Sequence, residues 1–349
     1  MSQQQFIHAK CPECGSQMLY QRGGKQTLQC RNCNYSRELG RNTDQIKDRK
    51  MTDGIDLKEF MRGMGTKLNE SSCKRCKSVI STINPEKIEI CPFCLGTEFD
   101  SSNKNESVIL PREILPFSVP KEVARKKLKS YFRRGEYRIM YPNDMVSTVT
   151  NPDNIRGVYV PFFLFDVFTQ TTWKGEGSFK YGGQGKALWD HFSGFFENFY
   201  ENVEVPATNG LNMEYLGNIM PFYMRDTVHY DYHYLKEWAT EIYLGDEKSR
   251  FEEADAMIDG QLAGEINRRI KANEQKNLKQ ATEKQNITFR HALVPVWVSI
   301  YTYQGKNFQF LVNGQTGRVT GEKPISFNKI YTAIGLIVLL VLIIVFSFS

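Results

Sequence analysis

Eight cysteines, arranged as four Cys-x-x-Cys pairs, constrain the fold of this chain more than any other feature. The pairs are Cys11/Cys14, Cys30/Cys33, Cys73/Cys76 and Cys91/Cys94, and they contain every cysteine of the 349 residues. Four thiolates from two tight turns suit the tetrahedral coordination of zinc, at about 2.3 Å per Zn–S bond. Because the pairs group two by two, the spacing predicts two four-cysteine zinc ribbons, each with one structural Zn²⁺.

Disulfides and thioredoxin-like redox chemistry are the competing interpretations of these pairs. The first ten residues, MSQQQFIHAK, are polar and show no secretory signal, and no βαβ pattern surrounds any of the pairs. Four thiolates leave no coordination position for water, which favours structural over catalytic zinc. Gly15 and Gly96 follow two of the pairs, and we expect them to supply the unusual backbone angle of each turn.

The last twenty residues are the second informative feature. From Ile330 to Ser349 there is no charge, and fourteen of the twenty residues are Ile, Leu, Val or Phe. At about −0.3 to −0.6 kcal/mol each, these favour insertion by roughly 4 to 8 kcal/mol, and a helix of about 30 Å spans a bilayer core. A single transmembrane helix is predicted, with a buried core helix as the alternative. Lys323 and Lys329 precede it, so the positive-inside rule predicts a tail-anchored, single-pass cell-membrane protein with its N-terminal bulk in the cytoplasm.

Composition divides the chain into six segments. We expect zinc ribbon 1 at 1–36, a charged spacer at 37–70, zinc ribbon 2 at 71–100, a polar linker at 101–107, a β-rich cytosolic domain at 108–327 and a transmembrane anchor at 328–349. The predicted fold class is therefore multidomain, with two four-cysteine zinc ribbons, a β-rich α+β cytosolic domain and one C-terminal transmembrane helix.

Two aromatic and β-branched runs predict strands in the cytosolic domain. They cover 158–172 and 293–303, and each contains a Val-Pro step, so alignment on Pro161 and Pro295 suggests a duplicated strand unit. Residues 307–312 alternate in polarity, and the following Asn313-Gly314 predicts a hairpin with a type I′ turn.

An apolar stripe at three- and four-residue spacing predicts a long helix. Its members are Phe251, Ala254, Ile258, Leu262, Ile266 and Ile270. We expect the helix to continue as a charged extension over 271–285. Gly260 and Gly264 lie inside it and indicate either close packing or a break.

A second helix is predicted at 121–134, with the sequence KEVARKKLKSYFRR. Its apolar face is flanked by basic side chains that suit anionic lipid or phosphate. The candidates for such contacts are Lys121, Arg125, Lys126, Lys129 and Arg133. The alternative is a helix packed on the core whose basic face is solvated.

No catalytic motif accompanies these features. GxSxG, HExxH and a Walker lysine loop are absent from the sequence, and no cysteine is left outside the four pairs, so we expect no enzymatic activity. His229, Asp231 and His233 share one face at strand spacing, but polar tips on a surface stretch are the favoured interpretation.

Two further features bear on partners. The aromatic run 189–200 is either buried, with Phe195, Phe196 and Phe199 at helical spacing, or an exposed docking surface. The net charge of +6 is modest for this length and argues against a dedicated nucleic-acid binder, although basic residues in the ribbon loops keep nucleic acid open as an alternative partner.

Several segments together carry a family resemblance. They are CPECGS from Cys11, YVPFFLFD from Tyr159, PVW at 295–297, FLVNGQTGRVTGEKP at 310–324 and the terminal hydrophobic helix. In these segments the chain resembles bacterial membrane-anchored double zinc-ribbon proteins of the TFIIB-type zinc-ribbon family, which are encoded with PspA-like and SPFH-type proteins. A primosomal-helicase-like label is often attached to such ribbons. It is not carried over, because the chain lacks the nucleotide loops of a helicase motor.

The resemblance implies a scaffold at the membrane. We expect a non-enzymatic, membrane-anchored adaptor whose zinc ribbons and β-rich domain recruit PspA-like and SPFH-type proteins to the inner membrane face during envelope stress, together with a second membrane protein. The alternative is a membrane-tethered nucleic-acid-binding zinc-ribbon protein.

Overall fold

A computed structural model describes residues 5–10, 13, 17–21, 27–30, 32–38, 49–50, 69–82, 88–101, 111–134, 138–179, 188–235, 238–243, 247–270 and 272–347. The strands are β1 Gln5–Lys10, β2 Gln17–Gln21, β3 Thr27–Cys30, β4 Ser36–Glu38, β5 Arg49–Lys50, β6 Asn69–Cys73, β7 Val79–Thr82, β8 Phe99–Ser101, β9 Glu113–Ile114, β10 Arg156–Phe179, β11 Leu188–Pro206, β12 Val228–His229, β13 Ala239–Ile242, β14 Glu274–Tyr303, β15 Lys306–Asn313 and β16 Val319–Gly321. The α-helices are α1 Lys121–Arg133, α2 Met145–Val149, α3 Met213–Ile219, α4 Glu247–Ile270 and α5 Phe327–Ser347.

The described strands form two sheets. A four-stranded sheet has the order β1-β2-β3-β4. The larger sheet has the order β12-β9-β14-β10-β13-β7-β6-β8, and β11 joins it on β10, β15 and β5 on β14, and β16 on β15. This sheet and the helices packed on it form a sheet-rich α+β body, and both predicted aromatic runs lie in its long central strands, β10 and β14.

The two Val-Pro segments are neighbours in the centre of the sheet. Strands β10 and β14 pair antiparallel, with Val160 opposite Val294. Pro161 lies where the second neighbour of β10 changes from β13 to β11, and Pro295 lies where that of β14 changes from β9 to β15. The prolines therefore stand inside long strands, which tolerate them because their missing N–H groups fall between two ladders.

Successive side chains of the central strands point to opposite faces of the sheet and pack into a separate core on each face. Trp297 and Tyr159 belong to a cluster covered by α1 and α2, whereas Val160 and Val294 belong to a cluster that includes α3. Both predicted strand runs are buried on both faces here, which explains their almost continuous apolar sequence.

The C-terminal half of β10, strand β11 and the N-terminal half of β14 form a three-stranded arm. Helix α4 covers one face of this arm. The predicted apolar stripe of α4 faces this sheet, and each of its members from Ala254 to Ile270 is at most 2% exposed. Fully burying one such aliphatic side chain contributes roughly 1.5–3 kcal/mol. Gly260 and Gly264 neither break the helix nor pack closely, because an added Cβ would meet no atom within 4 Å at either position.

The predicted helical extension over 271–285 is wrong, because β14 begins at Glu274. Its alternating residues place one face toward the helix, where Lys284 pairs with Asp259 at 2.7 Å and also with Asp255. The polar sequence predicts a solvated helix, but it has the composition of an arm strand with one open face.

The aromatic run 189–200 is also a strand and not a helix. Within β11, Phe196 is buried against the α4 side, whereas Phe195 and Phe199 are 59% and 61% exposed on the opposite face. Period-two alternation therefore divides these aromatic side chains between the core and the surface.

The predicted hairpin is confirmed, but its turn differs. Strands β15 and β16 pair from Phe310/Gly321 to Val312/Val319, so the connection is longer than the two residues of a type I′ turn. Asn313 Oδ1 accepts the N–H groups of the second and third residues after it, at 2.8 and 2.9 Å. Gly317 takes the positive φ of 75°.

Candidate metal centre

Four cysteine sulfur atoms converge at the free end of the larger sheet. Cys73 ends β6, Cys76 follows in the next turn, and Cys91 and Cys94 lie in the turn before β8. All four sulfur atoms lie within 4.8 Å of one another, and two of the Sγ–Sγ distances, Cys73–Cys94 and Cys76–Cys91, are 3.6 Å. A tetrahedral ZnS₄ centre with bonds of about 2.3 Å has an edge of about 3.8 Å. This four-cysteine site therefore has the spacing and the donor set for a metal ion such as zinc.

The two turns of the four-cysteine site have the same backbone geometry. In each, the N–H of the first cysteine donates to the carbonyl five residues later, at 2.9 Å from Cys73 and 2.8 Å from Cys91. The N–H four residues later donates back to the cysteine carbonyl, at 2.9 and 3.0 Å. That fourth residue has a positive φ in both turns, 64° at Lys77 and 61° at Leu95. We call this geometry a knuckle.

The expected role of Gly96 is corrected by this geometry, because Leu95 carries the unusual backbone angle. Gly96 is required for a different reason. A Cβ at this position would lie 3.1 Å from Cys73 Sγ and 3.3 Å from Cys94 Sγ, so any side chain would crowd two of the sulfur atoms.

The electrostatics of the site suit a cation. A hydrogen bond from the Cys91 thiol lowers the pKa of Cys76 to about 4, and the same hydrogen bond raises the pKa of Cys91. Burial raises the pKa of Cys94 to about 11, so four thiols this close resist joint ionisation. A bound divalent ion removes that conflict, because it binds thiolates directly. Arg156 lies near Cys91 and adds positive charge beside the cluster.

The site is joined to the body by sheet hydrogen bonds and by Phe93. Strand β7 pairs antiparallel with β13 of the body, which continues the sheet into the cysteine region. Phe93, between the two cysteines of its knuckle, is 0% exposed and belongs to the same core cluster as Val160 and Val294. Gly210 allows this contact, because a Cβ there would lie 2.4 Å from the Phe93 ring.

Two amide side chains of β15 bind the carbonyl groups of the same knuckle. Gln309 Nε2 donates to the Phe93 carbonyl and to the Gly210 carbonyl, both at 2.7 Å. Asn307 Nδ2 donates to the Cys94 carbonyl at 2.7 Å. The backbone of a metal-ligand turn is thus held by side chains more than two hundred residues away in the sequence.

A buried carboxylate reinforces the β7–β13 junction. Glu241 lies opposite Ile80 in that pairing and is 2% exposed. It accepts the N–H groups of Asn209 and Gly210 at 2.8 and 3.1 Å, and the hydroxyl of Thr208. Burial raises the pKa of Glu241 to about 7.

The turn that contains Cys30 and Cys33 has two of the three features of a knuckle, and we call it the Cys30 knuckle. Cys30 N–H donates to the Tyr35 carbonyl at 2.7 Å, and Asn34, four residues after the cysteine, has a φ of 56°. The Asn32 N–H points at Cys30 Sγ, 3.4 Å away, as expected for a ligand sulfur. Cys30 is buried and Cys33 is exposed, whereas Cys11 and Cys14 lie outside the described residues. The first zinc site therefore stays a prediction.

The candidate lipid or phosphate ligands lie on α1, whose predicted span is confirmed. Ala124, Leu128 and Phe132 pack on the core, and the basic side chains lie on the other faces. The exposed members are Lys126 and Arg133, and the half-buried ones are Lys121, Arg125 and Lys129. Arg125 is paired with Glu122 at 2.9 Å, which offsets its charge.

The histidine group is not assembled into a site by the described residues. His229 is exposed on β12, and its Nδ1 lies 3.1 Å from the carbonyl of the next residue. Asp231 follows in the loop, and the side chain of His233 lies outside the described residues.

Sequence reasoning missed the residues that hold the four-cysteine site against the body. Gln309, Asn307 and Glu241 are distant in sequence and carry no motif. One local signal was available: the knuckle that docks has the sequence CPFC, with Phe93 at a position that is polar in CKRC and CRNC. A large aromatic in an otherwise polar turn indicates a buried contact.

Comparison with known proteins gives one distant relation of note. The chain is similar to the "Uncharacterized protein YdjG" of Bacillus subtilis (strain 168), with 22% identity over 229 residues. The match covers 64% of this chain and 66% of that protein, slightly less than two thirds of its length. No protein-family model and no solved structure matches the chain.

Helix α5 is the candidate membrane span. Within the part of the chain that the structure describes, Phe327–Val345 forms the one helix long and apolar enough to cross a bilayer, with a mean hydropathy of 2.3 and no buried residue. A helix with apolar side chains on all sides and no protein cover matches a lipid environment.

Proposed function

We propose that this chain is a non-enzymatic adaptor, anchored in the cell membrane by α5, that holds its cysteine ribbons on the cytoplasmic side to recruit partner proteins. Both ribbons bind structural Zn²⁺ in this proposal. The family resemblance implies SPFH-type and PspA-like partners, a second membrane protein and a role in envelope stress. The similarity to YdjG is consistent with that family and adds no activity.

The observation that carries the proposal is the junction between the four-cysteine site and the body. Strand β7 continues the body sheet, and Phe93 is buried in the body core. A module attached in this way presents its outer surface in a fixed orientation, which reduces the entropy lost when a partner binds. Four thiolate ligands leave no position for substrate, so the metal supports a docking surface and not a reaction.

The outer surface of this module offers contacts that are separate from the metal ligands. Ile90 is 44% exposed beside the knuckle that begins at Cys91, and Lys77 is exposed at the end of the knuckle that begins at Cys73. Lys74 lies 3.8 Å from Glu98 and 3.6 Å from Asp100, so acidic side chains offset its charge. A mixed surface with an exposed aliphatic side chain suits a protein partner better than a phosphate backbone.

The test uses surface substitutions, because cysteine substitutions would also disturb the body core. Lys77→Glu combined with Ile90→Asp alters the outer surface and leaves all four sulfur atoms and Phe93 in place. The matched control, Lys174→Glu with Leu188→Asp, makes the same chemical changes on the arm, where both side chains are exposed. Full-length protein is purified from gently solubilised membranes, and the co-purifying proteins are quantified.

We expect the amount of partner protein that co-purifies with the ribbon variant to fall tenfold or more, because a central interface contact contributes about 1.4 kcal/mol or above. The arm variant should keep its partners. Loss from the arm variant alone would move the docking surface to the arm and contradict the role of the ribbons. Salt-dependent retention of oligonucleotides by the wild-type protein, lost in the ribbon variant, would favour the nucleic-acid alternative.

A further inference from the structure

The first turn of α5 is tied to a short segment of the body, residues 138–141. The Ser326 N–H donates to the Met140 carbonyl at 2.7 Å. Lys329 Nζ donates to the carbonyl groups of Ile139 and Tyr141, at 3.1 and 2.7 Å. Because Lys329 lies within the first turn of the apolar helix, these bonds hold the 138–141 segment beside the point where the chain leaves the body.

The C-terminal end of α1 reaches the same place. The Tyr131 hydroxyl donates to the Gly321 carbonyl at 2.7 Å, and Lys323 Nζ lies 3.7 Å from the centre of the Tyr131 ring. Phe132 packs edge to face against Tyr141, with ring centroids 6.4 Å apart. Both the end of α1 and the 138–141 segment are therefore anchored to the chain that leads into α5.

These two anchored segments expose an unusual combination of side chains. Ile139 is 75% exposed, the most exposed of the large hydrophobic side chains that the structure describes. Arg133 and Arg134 at the end of α1, and Arg138 next to Ile139 in the sequence, are also exposed. An exposed aliphatic side chain on the same segments as exposed arginines suits a surface that meets lipid headgroups.

We propose that this membrane-proximal surface, consisting of Arg133, Arg134, Arg138 and Ile139, contacts anionic headgroups of the leaflet that α5 enters, with Ile139 inserted between them. The contact rests on the membrane anchor in the proposed function and is independent of partner recruitment. It fixes the orientation of the body above the bilayer, because α5 alone is a single attachment point about which the body could tilt.

The geometry confines this contact to one end of α1. Lys121 is twelve residues from Arg133, about 18 Å along the helix axis, whereas charges are screened over about 8 Å at physiological salt. Arg125 is also paired with Glu122. The basic helix therefore meets lipid end-on and does not lie flat on the surface.

The test places a tryptophan at Ile139. Full-length Ile139→Trp protein is reconstituted in nanodiscs of phosphatidylcholine, with or without phosphatidylglycerol, whose acyl chains are brominated to quench nearby tryptophan. The same measurement on the unsubstituted protein corrects for the four native tryptophans. We expect quenching of the added tryptophan that is stronger with phosphatidylglycerol.

Two charge variants in the Ile139→Trp background locate the contact. Arg133→Gln with Arg134→Gln removes two charges at the proposed surface, and each arginine near an anionic leaflet shifts the contact equilibrium on the order of fivefold. Lys121→Gln with Lys126→Gln removes two charges toward the other end of α1, and we expect it to leave the quenching unchanged.

Retained protein without quenching at residue 139 would overturn the membrane-proximal surface and leave the anchor intact. Equal losses from the two charge variants would show a helix lying flat and would overturn the end-on contact. Protein that does not co-purify with the nanodiscs would contradict the anchor, and the lipid contact with it.

Discussion

The Cys30 knuckle and the Cys91 knuckle share two backbone features and differ in the residue at their centre. Both have the same bond from the first cysteine N–H and the same positive φ four residues later, at Asn34 and at Leu95. The middle of the turn holds Asn32 in the first, exposed to solvent, and Phe93 in the second, fully buried in the body core.

Their surroundings differ accordingly. Among the described residues, the strands next to the Cys30 knuckle pair with one another in the four-stranded sheet, whereas those of the four-cysteine site continue the sheet of the body. Both turns nevertheless contact the body core, because Cys30 and Tyr35 belong to the cluster that contains Trp297 and Tyr159, and Phe93 belongs to the cluster on the opposite face. The comparison teaches that the two turns couple to the body in different ways. The first does so through a cysteine and Tyr35, and the second through Phe93 inside the turn and through continuous sheet hydrogen bonds.

The largest effect that tests this difference is loss of a ligand. Structural zinc contributes on the order of 10 kcal/mol in isolated fingers, comparable with the total stability of a domain. We expect Cys91→Ser to lower the unfolding free energy of the body by more than about 3 kcal/mol, because the released knuckle carries Phe93 out of the core. Urea unfolding in detergent is followed by the fluorescence of Trp238 and Trp297, which lie 5.2 Å apart in the body.

Cys33→Ser is the matched control, since it removes one exposed sulfur from the other knuckle. Each variant should lose one of two zinc ions per chain by elemental analysis, but Cys33→Ser should destabilise the body less than Cys91→Ser. The Cys30 turn contacts the body core through Cys30 and Tyr35 and inserts no side chain from inside the turn. Equal destabilisation by the two variants would contradict the difference in coupling.

Phe93→Ala tests the side-chain part of the coupling with all ligands intact. Truncating a fully buried phenylalanine costs about 3–5 kcal/mol, and we expect a loss in that range by the same urea titration. Asn32→Ala changes the equivalent position of the Cys30 knuckle, where solvent surrounds the side chain, and should cost less than about 0.5 kcal/mol. The zinc content of both variants should equal that of the wild type.

Gln309→Ala tests the hydrogen bonds from β15. It leaves the Phe93 and Gly210 carbonyls without their amide donor, and a buried unsatisfied group costs about 1–3 kcal/mol. Asn307→Ala removes two bonds, to the Cys94 carbonyl and from the Thr302 hydroxyl. It should cost less than Gln309→Ala, which also removes the bond from the Asn212 N–H and so removes three. If Asn307→Ala lowered the unfolding free energy as much as Gln309→Ala, the stabilisation from these two side chains would not follow the number of hydrogen bonds they make.

Local patterns predicted much of this architecture, because cysteine spacing and apolar runs encode their structure directly. The four-cysteine convergence at Cys73 to Cys94, the α4 stripe and the apolar α5 are of this kind. The assembly of β11 and the first half of β14 was not predictable in the same way. These arm strands bury one face only, and a polar or aromatic stretch with one covered face resembles a helix until its partner strands are known.

The junction around the four-cysteine site was missed for a similar reason. Glu241 and Gln309 act on the Phe93 knuckle from strands far along the chain, so no local spacing relates them to the cysteines. Only the tertiary structure brings an amide donor within 2.7 Å of a knuckle carbonyl. Phe93 can be recognised in the sequence as a large aromatic residue in a polar turn. The surface against which it packs cannot be predicted from the sequence.

The smallest expected effect is a pH dependence that belongs to this junction. Because burial raises the pKa of Glu241 from 4.5 to about 7, the folded state holds a proton that the unfolded state releases between these values. The stabilisation from this group is complete below pH 4.5 and is lost as the pH rises through 7. Between pH 6 and pH 8 the wild type should therefore lose about 1 kcal/mol relative to Glu241→Gln, which has no proton to release.

The comparison uses the difference between the two proteins at each pH, so other titrating groups, including Glu204 with a pKa raised to about 7 by burial, cancel. A constant gap between wild type and Glu241→Gln across this range would mean that the carboxylate stays ionised in the fold. The three donors from Thr208, Asn209 and Gly210 would then outweigh burial, and the junction would be held by a charge-assisted network instead of a neutral carboxyl.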